Sequence, residues 1–222
     1  STRRQRQMCI RDRIDPNLLA EEFGLDQTRY FLMREVPFGN DGDFSRRAMI
    51  HRMNGDLAND LGNLSQRVLS MIFKNCSGVM PALPRTAAPE DSALLDAADA
   101  MLGKVRAHMD VQSFHEALRC IWEVVSDANK YVDTTAPWGL KKTDPARMGE
   151  VLAVLAETIR QAAILVQPVM PGSASKILNQ LGVAEGQRGF DMLAGERRIA
   201  AGVEISKPEP VFPRFVEEEG EV

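Results

Sequence analysis

From residue 15 onward, apolar residues return every three or four positions, the spacing of amphipathic helices. Asp15-Pro16 pairs an N-cap residue with a proline suited to the first helical position, and predicts a short helix to Phe23 that Gly24 stops. A second helix is predicted over about Asp26 to Val36, ended by Pro37, with Phe38-Gly39-Asn40-Asp41-Gly42 as a turn. Asp43 or Ser45 then caps the longest predicted helix, which runs to about Asn75. Its Ile50, Met53, Leu57, Leu61, Leu64, Val68, Met71 and Ile72 fall within an arc of about 100° at α-helical pitch, over a length of about 50 Å.

Loop 76–90 carries Gly78, Pro81, Pro84 and Pro89. Three more long helices follow. The first has Leu94, Leu95, Ala98, Met101, Leu102 and Val105 on one side, the second spans about 111–135 until Pro137 breaks it, and the third spans about 145–167. Pro168 and Pro171 precede a shorter helix around 173–181. Beyond a glycine-rich stretch, Val203-Glu204-Ile205 and the prolines 208, 210 and 213 predict an extended segment returning over the bundle. With no internal repeat and no βαβ alternation, the predicted class is all-α: an antiparallel helix bundle with an extended C-terminal segment.

Composition sharpens this picture in three ways. The 222 residues are 44% hydrophobic and 26% charged, enough to bury a sizeable core and unlike a disordered chain. Cys9, Cys76 and Cys120 are lone and far apart, and there are three histidines, which argues against a structural zinc site or a disulfide framework. No apolar run reaches the roughly 18 residues of a membrane span, and no signal peptide is visible, so the expected location is the cytoplasm, without a membrane partner.

Charge is distributed unevenly. Residues 1–13 hold five arginines and one aspartate, whereas the whole chain carries a net charge of −4. The body is therefore acidic and lacks the basic footprint of a sequence-independent nucleic-acid binder. Any nucleic-acid contact has to be local and directed by shape.

No catalytic constellation emerges: GxGxxG and the phosphate-loop lysine pattern are both absent. His108 and His115, seven apart, would share a face only on a continuous helix, and no acidic or thiol partner stands at metal-ligand spacing. Asn40-Asp41-Gly42-Asp43 lacks the alternating acids and closing glutamate of a calcium loop and reads as a turn and cap. Two other features carry more. Asn59, Asn63 and Arg67 step by four residues along the longest helix, off its apolar arc and drifting by about 40° per step. They form either a solvated face or a stripe able to read base edges, since amides and guanidinium present paired donors or acceptors in a plane. Asn129-Lys130-Tyr131 is expected to end a helix, with Ala136-Pro137-Trp138 projecting an indole past it. That indole either caps the core or serves as a platform for an unstacked base. Trp122, beside Ile121 and Val125, is expected to be core.

The string Arg29-Tyr30-Phe31-Leu32-Met33-Arg34-Glu35-Val36-Pro37-Phe38-Gly39, continued by Asp41-Gly42-Asp43-Phe44-Ser45, resembles the methionyl-tRNA synthetase family. So do Asn59-Asp60-Leu61-Gly62-Asn63-Leu64 with Arg67, Asn129-Lys130-Tyr131 with Ala136-Pro137-Trp138, Gln167-Pro168-Val169-Met170-Pro171 and Pro210-Val211-Phe212-Pro213-Arg214. The resemblance covers about residues 14–214. It implies the anticodon-binding bundle of a class I aminoacyl-tRNA synthetase, with tRNA(Met) as partner through its anticodon stem-loop. Carried over residue by residue, Asn63 and Arg67 would hydrogen-bond the edges of the CAU anticodon, Trp138 would stack its first base, and Asn59 would support them. The alternatives are the matching domain of a leucyl, isoleucyl, valyl or cysteinyl enzyme, or a helical protein-interaction module.

The same resemblance sets expectations for what is missing. The intact family member is a methionine–tRNA ligase that uses ATP, with or without zinc; this chain has no HIGH motif, and Gln5-Arg6-Gln7-Met8-Cys9 stands where a KMSKS loop would precede Ile14-Asp15-Pro16. The segment alone is expected to hold no cofactor or metal, to have no catalytic residues, to be inactive in adenylation, to be monomeric, and to lack its catalytic domain as an intramolecular partner. The expected divisions are a non-family head at 1–13 that resembles translated sequencing-adapter sequence and is not biological, a stem-contact segment at 14–45, the anticodon-binding domain at 46–214, and an acidic tail at 215–222.

Overall fold

The computed structural model describes residues 15–37, 39, 44–193 and 197–216. Its helices are α1 (Pro16–Phe23), α2 (Leu25–Glu35), α3 (Arg46–Arg52), a π-helical segment (Met53–Gly62), α4 (Asn63–Asn75), α5 (Pro89–Asp110), α6 (Phe114–Thr135), α7 (Pro137–Thr143), α8 (Pro145–Val166) and α9 (Pro171–Gln180). Among the described residues, the extended pairing is one isolated antiparallel bridge, Val79 with Glu204. The all-α reading holds. The head 1–13, the turn at 40–43 and the acidic residues 217–222 lie outside the described residues.

Local chemistry explains most boundaries. The Asp15 carboxylate accepts from the Asn17 backbone N–H at 2.8 Å, and Pro16 occupies the first helical position. Gly24 takes φ +93°, a conformation that any L side chain would strain. Ser45 caps α3, its hydroxyl accepting from the Ala48 N–H at 3.3 Å.

The core is built around α8. Every residue from Val151 to Val166 is buried, against α5, α6, α4, α7 and α9. This helix is apolar on most sides, as a central helix must be, and the polar side chains it carries into the interior are satisfied there. Glu157 accepts from Arg160 at 2.7 and 2.9 Å, from Gln161 at 2.9 Å and from the Ile199 N–H at 2.7 Å. Arg160 also donates to the carbonyls of Met192 and Arg197, tying the segment after α9 to the core.

A smaller cluster joins Phe23 and Phe31 to Met49 and Met53. Phe215, counted with the tail in the sequence, seals it: its ring lies 4.9 Å from that of Phe23, and its backbone exchanges two hydrogen bonds with the Asn54 side chain. The main core and α2 are linked by Arg29, which donates to the carbonyls of Val169 and Pro168 at 2.7 Å each. Two strings that stand apart in the sequence are thus clasped together. The extended segment returns over the bundle as predicted, with Met80 N–H to Val203 O at 2.8 Å and Ile205 N–H to Gly78 O at 2.8 Å, and with Val211 and Phe212 buried.

Three expectations are corrected. The long helix is one helical run from 46 to 75, but its middle is π-helical. The helix placed over 111–135 begins at Phe114, because Gln112 adopts φ +57° and breaks the chain direction. Pro137 does not stop α6. Ala136, at φ +43°, ψ +59°, does so, and Pro137 opens α7.

Candidate nucleic-acid interface

Helix α4 turns Leu64, Val68, Leu69 and Ile72 into the core and leaves Asn63 exposed at its start. Arg67, one turn on, has a side chain 34% exposed. Asn59 is exposed on the last turn of the π-helical segment. The three residues share the outer side of one helical run. Among the described residues, no hydrogen bond engages the side chain of Asn59 or Asn63.

Trp138 reaches this surface from the start of α7. Ala136 donates its N–H to Val132 O at 3.0 Å while its left-handed backbone reverses the chain, and buried Pro137 starts α7. The next residue is therefore turned outward. Trp138 is 53% exposed, so it does not cap the core. The Arg67 guanidinium carbon lies 5.6 Å from the centroid of its ring, within cation–π range. Arg67 Nη2 also donates to Asp133 Oδ1 at 3.0 Å, which ties α4 to the last turns of α6. Asp133 carries no signal in the sequence, being one exposed acid among many on a helix 66 residues from its partner.

The string Asn129-Lys130-Tyr131 lies within α6, four residues short of its end. Asn129 donates to Val125 O at 3.1 Å and Lys130 pairs with Asp127 at 3.0 Å. Tyr131 donates to Asp91 Oδ1 at 2.6 Å, and Asp91, 0% exposed, accepts both Nη groups of Arg147 at 2.6 and 2.7 Å. This buried clasp joins α5, α6 and α8 just below the turn that presents Trp138. Burial alone would raise the Asp91 pKa, but the hydrogen bonds from Arg147 and Tyr131 outweigh it and hold the carboxyl below its usual range. Burial, reinforced by the Asp91 carboxylate, pushes the Tyr131 phenol well above its ordinary value.

Trp122 is core, as expected, with its indole N–H donating to Asp56 O at 3.0 Å. His108 and His115 stand on different helices, on either side of the break at Gln112, and His115 Nε2 lies 3.3 Å from Glu116. An apolar cavity of about 270 Å³, lined by Met33, Met109, Phe114, Ile121 and Phe190 among others, sits at the far end of α6 from Trp138.

The arrangement offers a half-exposed indole face, a guanidinium over that face, and two amides along the same helical run. Such a surface has the chemical groups to stack an unpaired base and to hydrogen-bond base edges. It places no nucleophile beside a general base.

A family model described as the anticodon binding domain of methionyl tRNA ligase matches residues 81–222, which include Trp138, and one described as class I tRNA synthetases (M) matches residues 9–69, which include Asn59, Asn63 and Arg67. The methionine–tRNA ligase of Brucella suis biovar 1 is 54% identical over 205 residues, covering 92% of this chain and 39% of that protein. That of Mesorhizobium japonicum is 49% identical over 207 residues, 93% of this chain and 40% of that protein. Among solved structures, free Mycobacterium tuberculosis methionyl-tRNA synthetase aligns with a TM-score of 0.89 at 48% identity, covering 92% of this chain and 42% of that one. The same enzyme bound by methionyl-adenylate gives 0.89 and 48%, with 92% and 41% covered. The chain thus spans about two fifths of the length of the relatives it matches.

Proposed function

The chain belongs to the methionyl-tRNA ligase family, and we propose that its bundle reads the CAU anticodon of tRNA(Met) through Asn63, Arg67 and Trp138, with Asn59 in support. Family membership decides against the other class I synthetases considered from the sequence. The observation that carries the residue assignment is the contact of Arg67 with the half-exposed Trp138 ring, 5.6 Å from guanidinium carbon to centroid, beside exposed Asn63. In this reading Trp138 stacks the first anticodon base, and Arg67 and Asn63 hydrogen-bond base edges. The acidic body fits it, because splayed bases rather than a basic field supply specificity.

Within the reading, residues 14–45 contact the tRNA stem and 46–214 hold the anticodon. The protein works in the cytoplasm, as a monomer, beside a catalytic domain that activates methionine with ATP and esterifies it to the 3′ end of tRNA. The residues that would handle ATP, the HIGH and KMSKS motifs, have no counterpart in this sequence, so no step of adenylation is assigned to them.

The test is a titration of the chain with a CAU anticodon stem-loop and with the same hairpin changed at its first anticodon base. Tight binding of CAU and much weaker binding of the variant supports the reading. Equal weak binding of both, with the chain folded by circular dichroism, overturns it.

A further inference from the structure

The π-helical segment Met53–Gly62 carries Asn59 and ends at Asn63, so it underlies the first part of the proposed reading surface. The Asn63 N–H is shared between Ala58 O, five residues back, and Asp60 O, three residues back, so Asn63 stands at the end of the π ladder. A run of this length is rare, and π-helical turns concentrate at functional sites. The sequence here, with two glycines, two asparagines and two aspartates in ten residues, gives an ordinary α-helix little intrinsic advantage.

The register changes which side chains line up. At about 100° per residue, two four-residue steps of α-helix carry Asn59 about 80° away from Arg67. With hydrogen bonds five residues back, each residue turns by only about 80°, so the step from Asn59 to Asn63 drifts by about −40°. The following α-helical step to Arg67 drifts by about +40°. With ideal π pitch over 59–62 the two drifts would cancel, which turns Asn59 toward the line of Arg67.

Several contacts favour this register. The Trp122 indole donates to the Asp56 carbonyl at 3.0 Å, an acceptor that belongs to the helix ladder. The Asp56 carboxylate accepts from Tyr30 at 2.7 Å and from Arg52 at 3.3 Å, and the Tyr30 and Trp122 rings lie 4.6 Å apart. At Gly62, a Cβ would come within 2.7 Å of Leu57 O and 3.4 Å of Phe212. The close approach of the π turn needs glycine there.

We propose that Trp122 is a positioning residue for anticodon reading: its indole N–H, engaging Asp56 O, holds Met53–Gly62 in π register and so brings Asn59 into line with Arg67. This rests on the anticodon-reading function proposed above. Tyr30, through Asp56, fastens the same turn from α2.

The experiment compares the full chain with Trp122→Phe and Gly62→Ala. Binding of labelled CAU and first-base-variant hairpins is followed by anisotropy, which needs no intrinsic tryptophan, and amide hydrogen exchange is read at Leu61 and Asn63. Both variants should keep their helical circular dichroism, and their CAU affinity should fall about three- to tenfold, the loss expected for one misplaced hydrogen bond. The variant hairpin should change less, so the selectivity ratio falls with it. Exchange at Asn63 should rise in both. A general loss of stability would leave that ratio unchanged. If Trp122→Phe does not fold, Gly62→Ala decides, since it removes no contact of Trp122. Wild-type selectivity and wild-type Asn63 exchange in a folded variant would overturn the proposal. If the unaltered chain binds neither hairpin, it is the anticodon-reading function that fails, and the exchange alone then decides whether Trp122 holds the register.

Discussion

Tyr131 on α6 donates its hydroxyl hydrogen to Asp91 on α5 at 2.6 Å, and the same fully buried carboxylate takes a two-pronged grip from Arg147 on α8. Removing the acceptor strands the Tyr131 hydroxyl and leaves Arg147 only its outer partners, Glu90 and Glu150. Asp91→Ala is expected to cost about 2–4 kcal/mol, through the charge-assisted hydrogen bonds lost at a buried acceptor, read by urea unfolding. Tyr131→Phe, which loses one hydroxyl and keeps the ion pair, should cost about 1–2 kcal/mol. Equal losses in the two variants would contradict the arrangement.

The same clasp sets a pH dependence. Asp91 is drawn below the usual carboxylate range despite its burial, mainly by the Arg147 and Tyr131 hydrogen bonds. Its folded pKa is below its unfolded one, so the stabilisation is complete above about pH 5 and is lost as pH falls through the folded value. Asp99, gripped by Arg198 and Gln161, is lowered too and acts in the same direction. The melting temperature should therefore decline below about pH 4, more steeply in the natural chain than in Asp91→Asn. Parallel profiles would remove Asp91 from the account.

Trp138 is exposed enough to be cut back without opening the core. Trp138→Ala should weaken the CAU hairpin by about 1–3 kcal/mol, the value of one stacked base, while the melting temperature moves little. A binding loss of a few tenths with a large fall in melting temperature would make the ring purely structural.

Arg67 separates charge from shape. Its pair with Asp133 at 3.0 Å is solvent-exposed, so Arg67→Ala should change folding stability by less than about 1 kcal/mol. Arg67→Lys keeps the charge and loses the planar fork. Its hairpin affinity should fall nearly as far as that of Arg67→Ala. Full retention of binding by the lysine variant would mean that Arg67 contributes only a point charge.

In α8, Glu157 accepts from Arg160, Gln161 and the Ile199 N–H, all in the interior. Glu157→Ala should destabilise the chain by about 3–5 kcal/mol through the stranded Arg160. Amide exchange at Ile199 should rise first, because its acceptor is gone.

Much of this protein is local and was legible in the chain. Asp15-Pro16, Gly24 and Ser45 punctuate helices through contacts spanning two to four residues, and three- and four-residue periodicity gives the class. The strings around Asn63, Arg67 and Trp138 point to a family because residue identities at ordered spacing are written directly in the sequence. Cap, period and string were enough to predict an all-α bundle and to single out candidate residues on its surface.

Tertiary structure decided how those residues meet. Helical pitch was assumed uniform along 46–75, but the π register depends on an indole 66 residues away and on the room left by Gly62 beneath Phe212. Whether Trp138 was core or surface turned on Ala136 taking a left-handed backbone, which no residue preference at alanine announces. Tyr131, read as part of a helix end, proved to be an anchor because it and Arg147 converge on Asp91 from two other helices. Periodicity reports which side of a helix is apolar. It does not report the pitch that long-range hydrogen bonds impose, nor which distant side chain meets a polar one, because those are set by packing between segments far apart in the chain.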